Sequence, residues 1–299
     1  MLMEAITQLL DVINGVQLFV RREDLLHPVI SGNKYRKLKY TLAQIILDKR
    51  SSMLTFGGAH SNHILAAAYA ANQNQLRAIG VIRGDELIDR SKWGPTLQRA
   101  HDFGMHFEFV SRADYRHLKN DFNYWRQRFP EAAIVPEGGT SALAVKGCSE
   151  ILLDQDEYYD YVVCAVGTGG TLAGLSNARL RRPKILGVPV IKGDFLTEDI
   201  RKFAVNSNWE LLNGYEFGGY GKITTALIAF MNTFYQKYQV PLDPVYTGKA
   251  MFAIDEKITQ NYFPKGSKVL FIHTGGLQGI SAMNTYLSQK NQTLIDGYV

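Results

Sequence analysis

The sequence contains no run of eighteen or more apolar residues, the length that a helix needs to cross a bilayer. Its N-terminus carries Glu4 and Asp11, and no basic leader precedes an apolar stretch there. Only two cysteines occur, Cys148 and Cys164, which excludes a disulfide framework and favours buried packing for both. These absences predict a cytoplasmic protein without a membrane partner.

The chain also lacks a long block of one charge, an internal repeat and a linker rich in Pro, Gly and Ser. Its 33 Lys and Arg against 28 Asp and Glu give a net charge of +5, which is spread along the sequence. So small an excess predicts no nucleic-acid partner, and it suits a small anionic ligand or an ordinary surface equally well. With 299 residues, 46% of them apolar, the chain can form one large domain or two lobes.

Short β-rich segments alternate with helical patterns along the chain. The predicted strands are 53–56, 78–82, 107–110, 133–135, 161–166, 185–190 and 269–273. The predicted helices are 64–73, 96–103, 115–129, 142–153, 197–205 and 224–238. This alternation predicts the α/β class, with parallel strands joined by helical crossovers and helices on both faces of the sheets.

Three glycine-rich turns each follow a predicted strand and precede a helix. They are residues 57–63 (GGAHSNH), residues 167–171 (GTGGT) and residues 274–276 (TGG). Since ligands of parallel sheets bind at the carboxyl ends of the strands, we expect a binding site there. Residues 167–171 are typical of an anion cradle, although a sharp turn alone also needs glycine. Their spacing does not fit the G-x-G-x-x-G dinucleotide motif.

Lys34 follows a Ser-Gly-Asn turn at a predicted helix start. The helix dipole disfavours an ammonium ion there, so we expect a lowered pKa for Lys34 and a neutral amine able to form a Schiff base. From the residues alone, a solvated lysine in a basic helix start is an equally good interpretation.

The runs SGNKYRKLKY, TFGGAHSNH, VPEGGTSALAVKG, VGTGGTLAG, LDPVYTGKA and HTGGLQG occur in this order from about residue 20 to residue 280. Together they resemble the family of D-cysteine desulfhydrase and 1-aminocyclopropane-1-carboxylate deaminase. That resemblance implies a two-lobed tryptophan-synthase β-like fold, known as fold type II, and a pyridoxal 5'-phosphate cofactor.

The resemblance also implies roles for individual residues. Lys34 would hold the cofactor as a Schiff base and move the Cα proton. Ser61, Asn62 and His63 would bind the substrate, with Asn62 against the ring hydroxyl of the cofactor and Ser61 near the substrate carboxylate. The phosphate would be held by the turn Gly167, Thr168, Gly169, Gly170 and Thr171.

Two tyrosines in the matched runs, Tyr246 and Tyr220, would lie near the substrate and orient it or transfer a proton. An alternative role for Ser61, Asn62 and His63 is to form an N-cap cluster for the following helix, and the two roles are compatible. His60 and His63 lack a third ligand at a suitable spacing, so no metal is predicted. No G-x-S-x-G elbow surrounds Ser61, which argues against a serine hydrolase.

The choice of activity depends on Thr247 and Thr274, which in this family face the pyridine nitrogen. Deaminases of the family resemble VYEGK and HLGG at these places, whereas threonines are the desulfhydrase pattern. The expected reaction is therefore α,β-elimination from a small D-amino acid, with D-cysteine as the leading candidate. Alternatives are 1-aminocyclopropane-1-carboxylate deamination, an L-serine or L-threonine dehydratase or a sulfhydrylase of the same fold, and a cofactor-binding protein without catalysis.

The same resemblance implies how the chain is divided. Residues 1–40 and 145–299 would form a large cofactor-binding domain, and residues 41–144 a smaller one, with the cofactor between them. Homodimers are usual for this fold, so a homodimer is expected, although a reduced N-terminus ahead of Val20 leaves any dimer contacts made there open.

Overall fold

The computed structural model describes residues 5–30 and 32–297. Contacts between Cα atoms divide these residues into two compact units. The first unit comprises the described residues up to Asn33 and those from Cys148 onwards, and the second runs from Lys34 to Gly147. Each unit is built around its own sheet.

The sheet of the first unit has the strand order β1-β2-β10-β7-β8-β9 among the described residues. Its strands are β1 (Ile6–Ile13), β2 (Val16–Arg22), β7 (Tyr161–Val166), β8 (Lys184–Pro189), β9 (Trp209–Leu211) and β10 (Lys268–Ile272). β1 pairs with β2 in antiparallel orientation, and the other neighbours are parallel. The parallel strands β7 and β10 are almost continuously apolar and buried, as expected for strands covered on both faces.

The sheet of the second unit is parallel throughout its described strands, in the order β5-β4-β3-β6. These are β3 (Ser52–Gly58), β4 (Arg77–Arg83), β5 (His106–Val110) and β6 (Ala132–Val135). One core cluster of this unit places Phe56 of β3 against Trp125, with Leu54 and Val81 around them.

Helices connect the strands of both units. Those within the second unit are α2 (Asn62–Gln73), α3 (Pro95–Asp102), α4 (Arg112–Leu118) and α5 (Phe122–Arg128), and most of α1 (Asn33–Leu47) and of α6 (Ala142–Ser149) also belongs to it. Those of the first unit are α7 (Gly170–Ser176), α8 (Phe195–Arg201), α9 (Thr225–Tyr238), α10 (Thr247–Thr259) and α11 (Gln278–Gln289). None of the helices in the described ranges combines the length and apolarity that crossing a membrane requires.

The α/β class and every predicted strand are confirmed. The prediction of one helix over residues 115–129 was wrong, because the chain forms α4 and α5 there, and the Asp121 carboxylate accepts a hydrogen bond from Tyr124 N (3.0 Å) to cap the second helix. The hairpin β1–β2 and the short strand β9 were not predicted. The helix predicted over 142–153 ends earlier, at Ser149.

Candidate active site

The turn between β7 and α7 is rich in glycine, so most of its polar groups belong to the backbone. Gly169 is the N-cap of α7 with a φ of +80°, and it makes no side-chain capping hydrogen bond. A Cβ atom at Gly169 would lie 2.6 Å from Ile200 Cγ1, so the path of the chain requires glycine. Backbone N–H groups of a glycine turn are suitable donors to a phosphate. Residues 167–171 therefore fit the phosphate group of pyridoxal phosphate.

Asn33 connects this turn to the glycine turn that follows β10. Its side-chain Nδ2 donates to Thr171 Oγ1 (2.8 Å), and its backbone N–H donates to the carbonyl oxygen of Thr274 (3.3 Å). The preceding Gly32 has a φ of +63°, and a Cβ atom there would lie 1.9 Å from the same carbonyl oxygen. Sequence reasoning did not identify Asn33 as a site residue. Its only signal was the Ser-Gly-Asn turn, of which Ser31 lies outside the described residues.

Lys34 is the next residue in the chain and the second residue of α1, where its side chain is partly buried. The predicted helix start after the Ser-Gly-Asn turn is confirmed. One turn further along α1, the buried Lys37 donates from Nζ to the carbonyl oxygen of Gly138 (3.0 Å) and to Thr140 Oγ1 (3.0 Å). The two lysines therefore differ in their surroundings. Lys37 is bound to the loop that contains Gly138 and Thr140, whereas Lys34 directly follows Asn33, which is bound to Thr171.

The turn between β3 and α2 presents side chains. Ser61 is the N-cap of α2, and its Oγ accepts a hydrogen bond from Ile64 N (3.4 Å), which confirms the capping role considered for it. Asn62 is the first residue of α2 and is partly buried, whereas His60 is exposed. The turn thus brings a hydroxyl and a carboxamide side by side at the carboxyl end of β3.

His63, the second residue of α2, is buried. Its Nε2 lies 2.8 Å from Thr55 Oγ1, and that hydroxyl donates to the carbonyl oxygen of Val135 (2.9 Å). The Thr55 oxygen therefore accepts from Nε2–H, which leaves Nδ1 as the acceptor nitrogen. Nδ1 is buried with no hydrogen-bond partner among the described residues. Burial first, and then the positive charges of Lys34 and Lys37, hold the pKa of His63 well below its usual value, so the ring is neutral.

Tyr246 and Tyr220 lie together in the first unit. Their hydroxyl oxygens are 3.3 Å apart, and their rings meet edge to face at a centroid distance of 6.0 Å. Tyr246 Cε1 is 3.1 Å from the position that a Cβ atom of Gly167 would occupy. The tyrosine pair therefore lies against the glycine turn that follows β7.

Thr247 is fully buried at the start of α10. Its hydroxyl accepts from Asp243 N (2.7 Å) and donates to Asp243 Oδ1 (3.0 Å). The Asp243 carboxylate also accepts from the backbone N–H of Val245, Tyr246 and Thr247, and burial raises its pKa. Sequence reasoning missed Asp243, which fixes the backbone of both Tyr246 and Thr247. Thr274 is buried just after β10.

The predicted site residues thus form two groups. In the first unit, Asn33 links the turn at 167–171 to Thr274, and Tyr246 links the same turn to Tyr220. In the second unit, Lys34, Ser61, Asn62 and His63 lie at the starts of α1 and α2, and the charge of Lys34 acts on His63.

Residues 4–275 match the family model described as "Pyridoxal-phosphate dependent enzyme". A Pyrococcus horikoshii protein, provisionally named 1-aminocyclopropane-1-carboxylate deaminase, is 32% identical over 89% of this chain and 86% of its own length. The Arabidopsis thaliana protein named bifunctional D-cysteine desulfhydrase/1-aminocyclopropane-1-carboxylate deaminase, mitochondrial, is 29% identical over 89% of this chain and 74% of its own. The D-cysteine desulfhydrase of Klebsiella pneumoniae is 26% identical over 91% and 90%.

Solved structures agree with this likeness. The crystal structure of a protein described as an ACC deaminase homologue superposes with a TM-score of 0.82 at 29% identity, over 96% of this chain and 94% of that one. The O-acetylserine dependent cystathionine β-synthase of Helicobacter pylori, 15% identical over 88% of both chains, shares the fold with a TM-score of 0.65. The predicted fold type and cofactor are confirmed, and the chain belongs to the family of pyridoxal-phosphate dependent enzymes.

Proposed function

We propose that this protein catalyses α,β-elimination on a small D-amino acid, with D-cysteine and water giving pyruvate, ammonia and hydrogen sulfide. The observation that carries the proposal is the bridge made by Asn33, because it joins two glycine turns one residue before Lys34. The names of the Arabidopsis and Klebsiella relatives support this class of reaction.

The proposal assigns each part of the cofactor to particular residues. Lys34 binds it covalently, and the backbone and threonine hydroxyls of residues 167–171 bind its phosphate. Asn62 contacts the ring hydroxyl, whereas Thr247 and Thr274 contact the ring nitrogen. When bound, pyridoxal phosphate supplies an electron sink for the charge left at Cα.

The reacting groups of the chain then have separate tasks. The Lys34 amine takes the proton from Cα of the amino acid. Ser61, Asn62 and His63 bind the substrate, with Ser61 near its carboxylate. The Tyr246 and Tyr220 hydroxyls, 3.3 Å apart, orient the substrate and hold the proton that the departing sulfur takes up.

The two threonines support D-cysteine over 1-aminocyclopropane-1-carboxylate. A carboxylate beside the ring nitrogen would keep that nitrogen protonated and strengthen the electron sink. Opening a cyclopropane lacks a good leaving group and therefore needs the stronger sink, whereas loss of a thiol from Cβ is easier. The Thr247 hydroxyl proton is already given to Asp243, so this side chain offers an uncharged oxygen.

The direct test is to give the purified holoenzyme D-cysteine, L-cysteine and 1-aminocyclopropane-1-carboxylate in parallel. We expect sulfide and pyruvate from D-cysteine, at a higher rate than from L-cysteine. Selective turnover of L-amino acids would instead support an enzyme of the dehydratase type. Release of 2-oxobutanoate and ammonia as the main activity would support the deaminase, which the Pyrococcus and Arabidopsis names keep as the second candidate.

Substitution at Thr247 tests the argument about the ring nitrogen. Thr247→Glu should lower kcat for D-cysteine by about tenfold, because a protonated ring holds the electron pair from Cα more strongly and leaves it less available to expel the sulfur from Cβ. This change corresponds to a barrier about 1.4 kcal/mol higher. Thr259→Glu at the exposed far end of α10 is the matched control and should leave the rate unchanged. Equal rates in the Thr247 variant and the parent protein would contradict the proposed effect of a carboxylate beside the ring nitrogen.

Three further properties stay predictions. These are the division into a cofactor domain of residues 1–40 and 145–299 and a small domain of residues 41–144, the homodimer, and the cytoplasmic location. Light scattering on the purified protein would give the mass of the assembly. A mass near that of one chain, 33.6 kDa, would argue against the homodimer.

A further inference from the structure

Lys249 is a fully buried lysine on α10, two residues after Thr247. Its Nζ donates to two backbone carbonyl oxygens, those of Glu216 (2.8 Å) and Gly219 (2.9 Å). Lysine is almost never fully buried unless its ammonium group is paired. Burial lowers the pKa of Lys249 to about 8, while the nearby negative charges of Asp243 and Glu216 act in the opposite direction. The ammonium ion is therefore the main form at pH 7, and it is directed entirely at one loop.

That loop, residues 214–222, has little regular structure of its own. Four of its glycines have positive φ, namely Gly214, Gly218, Gly219 and Gly221. Two turns are closed within it, by hydrogen bonds from Gly219 N to Glu216 O (2.9 Å) and from Lys222 N to Gly219 O (3.1 Å). The carbonyls that accept these two bonds are the same ones that bind Lys249. The ammonium group therefore fixes both turns at once.

The position of Tyr220 depends on these turns, because it lies directly after Gly219. Its hydroxyl is 3.3 Å from that of Tyr246, which in turn lies against the glycine turn after β7. The loop is also attached to α10 by the ring of Phe217, which packs edge to face on Phe252 at 5.0 Å. That apolar contact joins a side chain of the loop to the helix, whereas the two hydrogen bonds of Lys249 reach the loop backbone directly.

We propose that Lys249 is a positioning residue that holds the 214–222 loop so that the Tyr220 hydroxyl meets the Tyr246 hydroxyl. The proposal rests on the proposed function in one respect, since the kinetic effect requires this tyrosine pair to act on the substrate. Lys249 itself takes no part in the chemistry. Misplacing a reacting group by about 1 Å can cost about a hundredfold in rate, so loss of this lysine should have a measurable effect.

The test uses Lys249→Met in the holoenzyme, with Lys290→Met as the control. Lys290 is an exposed lysine at the end of α11, and no described hydrogen bond joins its side chain to the 214–222 loop. Methionine is similar in size to lysine, and both loop carbonyls keep a backbone donor, so the variant should fold. Lys249→Gln, which retains N–H donors, is the second variant if the first does not fold.

Two measurements decide the outcome. Hydrogen exchange followed by mass spectrometry should show at least about tenfold faster exchange of residues 214–222 in Lys249→Met and no change in Lys290→Met. In a double-mutant cycle on kcat/KM for D-cysteine, Tyr220→Phe should lower the value in the parent protein and cause little further loss in Lys249→Met.

Unchanged exchange in the 214–222 loop would overturn the proposal. So would a Tyr220→Phe effect of equal size in both backgrounds, because Lys249 would then act independently of Tyr220. If no variant and no parent protein turns over D-cysteine, the proposed function fails, and the exchange experiment alone still decides whether Lys249 holds the loop.

Discussion

The two turns that follow β3 and β7 occupy the same topological position but present different chemistry. After β3, the chain places the side chains of Ser61, Asn62 and His63 at the carboxyl end of the strand. After β7, a glycine in the left-handed conformation occupies the N-cap position of the helix and makes no side-chain capping hydrogen bond. One turn is thus suited to bind a substrate by side chains, and the other to bind an anion by backbone N–H groups.

The difference shows how a parallel βα unit can be specialised by a few residues. A serine N-cap satisfies the first N–H groups of a helix internally, so that side chains next to it carry the specificity. A glycine N-cap leaves those N–H groups for a ligand. Asn33 is bound to this turn through the Thr171 hydroxyl, so that hydrogen bond uses a side chain of the turn rather than its backbone N–H groups.

The largest effect on stability and cofactor binding is expected from substitution of Gly169, the glycine of the turn after β7. Gly169→Ala imposes a positive φ on alanine and brings its Cβ to 2.6 Å from Ile200 Cγ1. We expect the free energy of unfolding to fall by about 2–4 kcal/mol, from backbone strain together with overpacking. Affinity for pyridoxal phosphate, measured by absorbance titration, should fall as well.

Gly266→Ala is the matched control, because Gly266 has a similar φ of +88° and open space around its Cβ position. Backbone strain alone should cost that variant about 1 kcal/mol. Its affinity for the cofactor should equal that of the parent protein. Equal loss of affinity in both variants would mean that the turn after β7 has no special role in binding.

A smaller effect is expected in the turn after β3, and it depends on pH. Because burial holds the pKa of His63 well below about 6.5, the unfolded chain binds a proton below that pH that the folded chain does not. Stability from this group is therefore complete above pH 6.5 and decreases as the pH falls. The folded protein should therefore lose stability progressively as the pH falls from about 6.5 towards 5.

His63→Gln removes this titration while its amide can still donate to Thr55. Chemical denaturation at pH 7 and pH 5 should therefore show a smaller acid-induced loss in the variant. The other histidines are the same in both proteins, so their contributions cancel in the comparison. Identical losses in the two proteins would contradict a neutral, buried His63.

Much of the fold could be predicted because parallel βα units combine two local signals, apolar strands and glycine turns. The β1–β2 hairpin was missed although Asn14 and Gly15, both with positive φ, form the kind of Asn-Gly turn that connects antiparallel strands. The break between α4 and α5 was missed because the apolar pattern continues across it, and a single cap at Asp121 decides it.

The site was predictable only where a motif is contiguous. The glycine turns and Lys34 can be recognised in the sequence, whereas Asn33 and Lys249 act through contacts that the folded chain creates. Asp243 was missed although its hydrogen bonds are local, to residues two to four positions further on. Asn33 meets Thr171, which is 138 residues away, and Lys249 meets Glu216, which is 33 residues away. No local pattern encodes such distances, so these residues could be identified only from the structure.

The covalent attachment of the cofactor is the central claim of this account. The holoenzyme can be reduced with borohydride, which makes the link between lysine and cofactor permanent, and the labelled peptide can be identified by mass spectrometry. One cofactor per chain on Lys34, together with loss of label and activity in Lys34→Ala, is the predicted result. Label on Lys37, Lys249 or another lysine, or full activity in Lys34→Ala, would contradict the account.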